Sequence, residues 1–427
     1  MTARSALRRY MLVSFLTWLP TGLQMTVMVL LMSERGLGLA EIGLATMVFS
    51  VVTVSLELPT GGLSDVVGRR VVLAASAAFT VAALVLMSVS TTFWMFLASG
   101  VLKGVARALS SGPATSWYVD TLHAVEGREA DLKPGLAKGA MMESVALCTG
   151  VLGGGCLPLL VPSSLMFPLA APPLAGVVAA AALLVVVLFA LPEPARARRS
   201  LGGVLREVPA TVVGGVRLAA GAPVLRRMMG AAAVSGLMLV SVELLTPGRL
   251  AELAGTAERG SLFYAVVAAL GFAGSAAGSA LAPRTAALAG GSARGAMAGT
   301  LLSALAVAAL AATSSLDGLA GTASAGVAYV VLFVGAAITS VLCLELTHNA
   351  VTAAERTTVT STGSLALQGG SAVGNLALGA LAAQAGLAWA WTVVVVVLLA
   401  SVLFFVRLPV AQGSSPAQAP RARSGSG

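Results

Sequence analysis

Apolar runs of about twenty residues recur along this chain, separated by short polar links. We place them at 10–32, 42–63, 71–90, 93–111, 137–160, 165–191, 228–245, 261–282, 296–313, 319–346, 358–383 and 387–408. Twenty helical residues span the hydrocarbon of a bilayer. Lipid offers no partner for backbone N–H and C=O groups, so each run must satisfy its own, as a helix does. Strand-like alternation is not evident. Charge content agrees, since 10% of 427 residues are charged against about 25% in a soluble domain. The expected fold is an all-α membrane protein of twelve transmembrane helices.

The net charge of +9 raises the question of nucleic acid, but its distribution points to a membrane. With the N-terminus inside, cytoplasmic segments hold 21 Lys and Arg and external links hold 3, Arg35, Arg249 and Arg259. That asymmetry predicts a multi-pass protein of the cell membrane with both termini cytoplasmic, its positive links facing anionic headgroups. Arg8 and Arg9 precede a first apolar run that is too long for a signal peptide and lacks a cleavage site, so it reads as the first span. Cys148, Cys156 and Cys343 sit in apolar runs without ligand spacing. His123 and His348, the two histidines, lie in links without metal spacing. No metal, cofactor or nucleotide loop is expected.

Residues 192–227 divide the spans six and six, giving bundles at 1–191 and 228–408. This linker carries Arg196, Arg198, Arg199, Arg206, Arg217, Arg226 and Arg227, while Leu201, Val204, Leu205, Val208 and Val212 recur at helical spacing. It reads as an amphipathic helix on the membrane surface. Residues 114–136 read as a polar loop with Asp120, Arg128, Asp131 and Lys133. Residues 409–427 read as a disordered tail. The halves are weak parallel repeats: Gly61 and Gly278 lie 217 positions apart, near the ends of corresponding spans.

The most specific local pattern is Glu57–Arg70, in which Gly61, Asp65, Gly68, Arg69 and Arg70 follow the order G-x-L-x-D-x-x-G-R-R. Gly61 permits close helix approach, Gly68 a positive-φ turn, and Asp65 can satisfy N–H groups at a helix start. This link resembles the loop between the second and third helices of major facilitator superfamily transporters. Val66 departs from it, standing where that family usually has a basic residue. The segment at 355–361 also resembles the family's link into the eleventh span. The resemblance implies two six-helix bundles and alternating access, with this loop bracing the cytoplasmic helix ends in one state. It further implies that spans one, four, seven and ten line a central cavity, that two, five, eight and eleven pack between the halves, and that every third span faces lipid.

Ionisable residues inside spans are costly and face cavities or partners. Here they are Glu57, Lys103, Arg107, Glu143, Glu243 and Glu345, and they avoid the third, sixth, ninth and twelfth spans. By depth, Arg107 is expected to pair with Glu57 or Glu143 near the inner mouth, with Lys103 deeper and open to an anionic substrate group. Glu243 has no evident basic neighbour at its depth, which makes it the first choice for proton coupling. Glu345 reads as interfacial. Gln24, Gln368 and Asn375 read as cavity or interhelix hydrogen-bonding groups. Small residues crowd the eighth span (Gly271, Gly274, Ser275, Gly278, Ser279) and the eleventh (Gly370, Gly374, Gly379), as close, sliding contacts require.

The expected function is secondary active transport of a small organic molecule by a monomer, with protons as coupling ion and efflux by antiport as the favoured mode. Gly150, Gly153, Gly154 and Gly155 followed by Pro158 echo the glycine-rich fifth helix of the superfamily's antiporters. The alternatives are a proton-coupled uptake symporter, a non-transporting receptor, and a membrane-embedded enzyme, which would need a nucleophile or metal cluster at membrane depth.

Overall fold

The computed structural model describes residues 2–127, 130–192, 217, 220–352 and 355–408. The linker helix expected within 201–212 and the tail at 409–427 lie outside the described residues. The first span is two helices, α1 (Ala3–Met25) and α2 (Met28–Glu34). Pro20 is accommodated inside α1. The break comes later, at Thr26 and Val27, where the Val27 N–H turns back to the Gln24 carbonyl at 3.1 Å.

Then follow α3 (Leu39–Val66), α4 (Arg69–Val89), α5 (Phe93–Ser110), α6 (Pro113–Glu126), α7 (Lys133–Leu160) and α8 (Ala171–Ala190). The remainder is α9 (Pro223–Ala254), α10 (Ala257–Ala289), α11 (Ser292–Ala312), α12 (Gly318–Asn349), α13 (Arg356–Ala385) and α14 (Leu387–Ser401). Eleven described helical segments are long and apolar enough to cross a membrane, with α1 and α2 counted as one. The fourth expected span, α5, falls outside that set and packs against α3 and α4. Its apolar character is diluted by Lys103 and Arg107.

Residues 114–126 correct the sequence reading, for they form helix α6 rather than loop. Pro113 fits a first helical turn, and Trp117, Tyr118, Thr121 and Leu122 bury one face. Symmetry between the halves shows in the backbone. Gly68 and Gly291 are the N-caps of α4 and α11, at φ 115° and 136°, a region that disfavours any residue with a Cβ.

The cores are distributed unevenly. At the face carrying the N-terminus there are two separate clusters. One joins Ala6, Tyr10, Leu73, Trp117, Leu183 and neighbours; the other joins Met228, Ala282, Ile338, Leu342 and Phe405. At the opposite face one continuous cluster takes Val29, Leu30, Leu31, Phe96 and Leu169 from the first half with Val242, Leu245, Tyr264, Tyr329 and Trp391 from the second. The halves are therefore sealed together at the face away from the N-terminus.

The seam is α3 against α13 and α7 against α10, as the superfamily resemblance implies for spans two, eleven, five and eight. Gly43 lies on the Asn375 carbonyl, while Thr46 Oγ1 donates to Asn375 Oδ1 at 2.8 Å. Gly155 lies against Ala265 and Ser261, whose hydroxyl donates to the Gly155 carbonyl at 3.2 Å. Every third helix presents apolar side chains outward, including Val89 on α4, Phe189 on α8 (85% exposed), Leu305 on α11 and Trp389 on α14. Such a surface suits acyl chains.

Candidate functional site

One cation and one anion from different halves lie within electrostatic reach of each other. Lys103 is on α5, ten residues past its start at Phe93, and Glu243 is on α9, eleven residues before its end at Ala254. The Lys103 ammonium lies 5.1 Å from the centre of the Phe49 ring and 3.7 Å from Met28 Sδ. Met28 begins α2, which packs on α9. Across this space Lys103 and Glu243 interact electrostatically, and no direct ion pair joins them.

Glu243 is exposed by surface area although it lies deep among protein atoms. Tyr264 of α10 is near enough to sense the Glu243 charge. Beside it, the hydroxyls of Thr246 and Tyr329 share a hydrogen bond.

A second polar level lies toward the N-terminal face. A cavity of about 170 Å³ is lined by Ser14, Thr17, Trp18, Arg107, Ser110 and Glu143, among others. The Arg107 guanidinium sits 4.8 Å from the Trp18 ring centre, a cation–π arrangement. Trp18 and the Glu143 carboxylate line the same cavity. Glu57 and Glu143 are both electrostatic neighbours of Arg107. Neither forms a direct ion pair with it, and Glu57 instead accepts from Ser111 Oγ at 3.3 Å. The structure thus brings Arg107, Glu57 and Glu143 to one level, with an aromatic ring in place of a carboxylate against the guanidinium.

The 57–70 link anchors the N-terminal face. Arg69 pairs with Asp120 and donates to the Ser116 carbonyl, both on α6. Arg70 donates to the Leu188 carbonyl and Arg9 to Ala190 at the end of α8, the latter at 2.5 Å. Trp117 Nε1 donates to the Pro192 carbonyl at 2.9 Å. Four helix ends are tied by these bonds. Gly61 and Asp65 lie on α3, their local surroundings outside the described residues.

The Major Facilitator Superfamily sequence model matches residues 10–374. The chain belongs to the Major Facilitator Superfamily. No curated protein matches. Solved superfamily-type transporters share the fold at low identity. The nucleoside transporter NupG superposes with a TM-score of 0.73 at 14% identity, covering 94% of this chain and 97% of that one. A bacterial homolog of the human lysosomal transporter Spinster, described as inward-facing and occupied, gives 0.72 at 15%, covering 93% and 95%. A POT family transporter in complex with 5-aminolevulinic acid gives 0.70 at 12%, covering 94% and 98%. At such identities the likeness establishes the fold, and these proteins' substrates remain theirs.

The observed helix bounds and contacts differ from the sequence reading in several places. The sequence places Glu243 near the end of a span at 228–245, with no evident basic neighbour at its depth. Because α9 runs from Pro223 to Ala254, Glu243 is well inside its helix, within electrostatic reach of Lys103. The polar end Pro247–Glu252 hid that extension. The glycines of the eighth span, Gly271, Gly274 and Gly278, pack on Phe333, Val330 and Val334 of α12, within their own half. Gly370 and Gly374 meet α9, and of the eleventh-span set Gly379 reaches the seam, at Leu39 and Gly43. In the fifth span Gly150, Gly153 and Gly154 seat α1, while Gly155 meets α10. Gln24 is buried with Oε1 unpartnered, and Glu345 accepts from Ser292 Oγ at 3.0 Å near the helix ends. Among the described residues no group of three or more His, Cys, Asp or Glu is placed to hold a metal.

Proposed function

We propose that this superfamily member is a proton-coupled exporter that moves a small organic molecule by alternating access, in exchange for protons. The supporting observation is the placement of Glu243 and Lys103, one from each half, within electrostatic reach of each other deep among the helices. A carboxylate in such a place takes up a proton when the cavity meets an acidic side and releases it on the other. If the substrate's cationic group and the proton use the same carboxylate, each displaces the other, and exchange follows. Coupling requires that the site see one side at a time. One shared core at one face and two separate cores at the other describe a molecule closed on the first and open on the second.

The Lys and Arg asymmetry supports placing the open, N-terminal face in the cytoplasm of the cell membrane. In this reading 1–191 and 228–408 are the two moving bodies and 192–227 joins them. The link at Gly61, Asp65, Gly68, Arg69 and Arg70 acts as a brace. Its bonds to α6 and α8 hold the first half rigid, so that it moves as a unit.

Everted and right-side-out membrane vesicles with an imposed pH gradient test this. A panel of fluorescent amphiphiles is expected to accumulate in everted vesicles made acidic inside, and to leave when the gradient is collapsed. Accumulation instead in right-side-out vesicles bathed in acid would establish uptake by symport.

A further inference from the structure

We infer that the first half carries a binding site for a small α-amino acid, in the cavity of about 170 Å³ toward the N-terminal face. Ser14, Thr17 and Trp18 reach that cavity from α1, Arg107 and Ser110 from α5, and Glu143 from α7. The rest of its wall is the start of α6 and the turn before it. All of these elements belong to the first half. A site that faces each side of the bilayer in turn lies between two repeats. A ligand enclosed by one repeat stays with that repeat as the halves move, so it is retained and not carried across. Drug-sized ligands need about 300 Å³ or more, and this space is smaller.

Unused hydrogen-bonding groups give the decisive argument. A guanidinium has five N–H donors in a rigid fork. That of Arg107 makes one long contact, to Ser110 Oγ at 3.5 Å, and among the described residues it pairs with no carboxylate. Trp18, 4.8 Å away, offers it a ring and no oxygen. Ser14 is 4% exposed and lines the cavity, and its hydroxyl has no hydrogen-bond partner among the described residues. These two residues are donors in search of an acceptor, and a carboxylate takes a guanidinium fork with two oxygens. The other polar groups are acceptors. The Thr17 hydroxyl already donates to the Val13 carbonyl at 2.7 Å, and Ser110 to the Arg107 carbonyl at 2.8 Å, so each keeps only lone pairs to offer. Glu143 adds a carboxylate, which an ammonium group satisfies. Ser111 and Thr115 are occupied within the protein, with Glu57 and Tyr10. A bare carboxylate would meet Glu143 as a like charge, and a bare amine would meet Arg107. An α-amino acid answers both ends at once.

The test uses the purified full-length protein in lipid nanodiscs, with alanine, propionate and alaninamide as probes on one skeleton. Isothermal titration calorimetry is expected to show alanine binding about tenfold or more tightly than the anion or the cation. Arg107→Gln is expected to weaken alanine binding by roughly thirtyfold or more. Ser14→Ala, which removes a single hydroxyl and decides the matter if Arg107→Gln fails to fold, is expected to weaken it about fivefold. Ser144→Ala, an exposed position beside Glu143 on α7, is the control and is expected to bind as the parent does. Equal affinity for the three probes, no binding of alanine, or undiminished binding by folded Arg107→Gln or Ser14→Ala would overturn the assignment. Retention is read in proteoliposomes with an imposed pH gradient, where labelled alanine is expected not to accumulate; accumulation would make it cargo and contradict a site enclosed by one half. Binding in nanodiscs needs no gradient, so the two readings fail separately. Amphiphile accumulation without alanine binding removes this site alone, and alanine binding without amphiphile accumulation removes the export reading alone.

Discussion

Glu243→Gln is expected to abolish accumulation driven by a pH gradient while leaving exchange of substrate down its own gradient. Gln keeps the size and hydrogen-bonding capacity of the side chain but carries no titratable proton. Removing one member of a desolvated charge pair costs about 2 kcal/mol or more, roughly thirtyfold in the step that depends on it. The measurement compares proteoliposomes with and without a pH gradient, using a substrate from the vesicle panel at a concentration raised to offset weaker binding. Loss of the driven component with survival of exchange assigns coupling to Glu243. Unchanged driven transport would remove Glu243 from the coupling step. Loss of both modes together would make it a binding or folding residue.

The seam glycines carry the second large effect. A Cβ on Gly43 would enter the Asn375 carbonyl, and one on Gly155 would press on Ala265 and stand 2.8 Å from the Ser261 carbonyl oxygen. Backbone on the far side cannot yield as a flexible side chain can. Overpacking of this kind costs about 1–3 kcal/mol, and here the cost falls on the state in which that face is sealed. Gly43→Ala and Gly155→Ala are therefore expected to lower the ratio of sealed to unsealed molecules by roughly five- to 150-fold, without unfolding either half. In a cysteine-free background with Leu30→Cys, now buried at 3% exposure, a membrane-impermeant thiol reagent applied at the face away from the N-terminus should then react. Gly153→Ala is the control, because its Cβ would find Leu23 Cδ2 at an ordinary 3.6 Å. Reaction in the control, or none in the seam variants, would contradict the assignment of the seal.

Much of this was legible in the amino-acid sequence because a bilayer imposes strong constraints. Apolar runs of sufficient length announce spans, and intramembrane charges such as Lys103 and Glu243 stand out against them. The positive-φ turn at Gly68 was readable because so few residues tolerate it. Helix ends were less visible. α9 continues past Leu245 into polar sequence, and that extension moved Glu243 from an apparent margin to well inside its helix. The polar composition of 114–126 concealed α6, although Pro113 and the spacing of Trp117, Tyr118, Thr121 and Leu122 were available signals. Contact partners were least legible of all. Glycines that let helices approach look alike in sequence whether they meet their own half, as Gly274 does, or the other, as Gly155 does. The stacking of Arg107 on Trp18 joins residues distant in the chain, and no local pattern encodes it.

The account depends on two halves that open at one face as they close at the other around Lys103 and Glu243. Helices α7 and α10 meet across the seam at Gly155 and Ser261 and run to both faces, so they report on each. Spin labels at Lys138 and Leu288 read the N-terminal face, and labels at Leu160 and Thr256 the opposite one; all four positions are exposed. Pulsed dipolar spectroscopy across a pH change is predicted to show the first distance shortening as the second lengthens. Two distances that stay fixed, or change in the same direction, would contradict alternating access in this molecule.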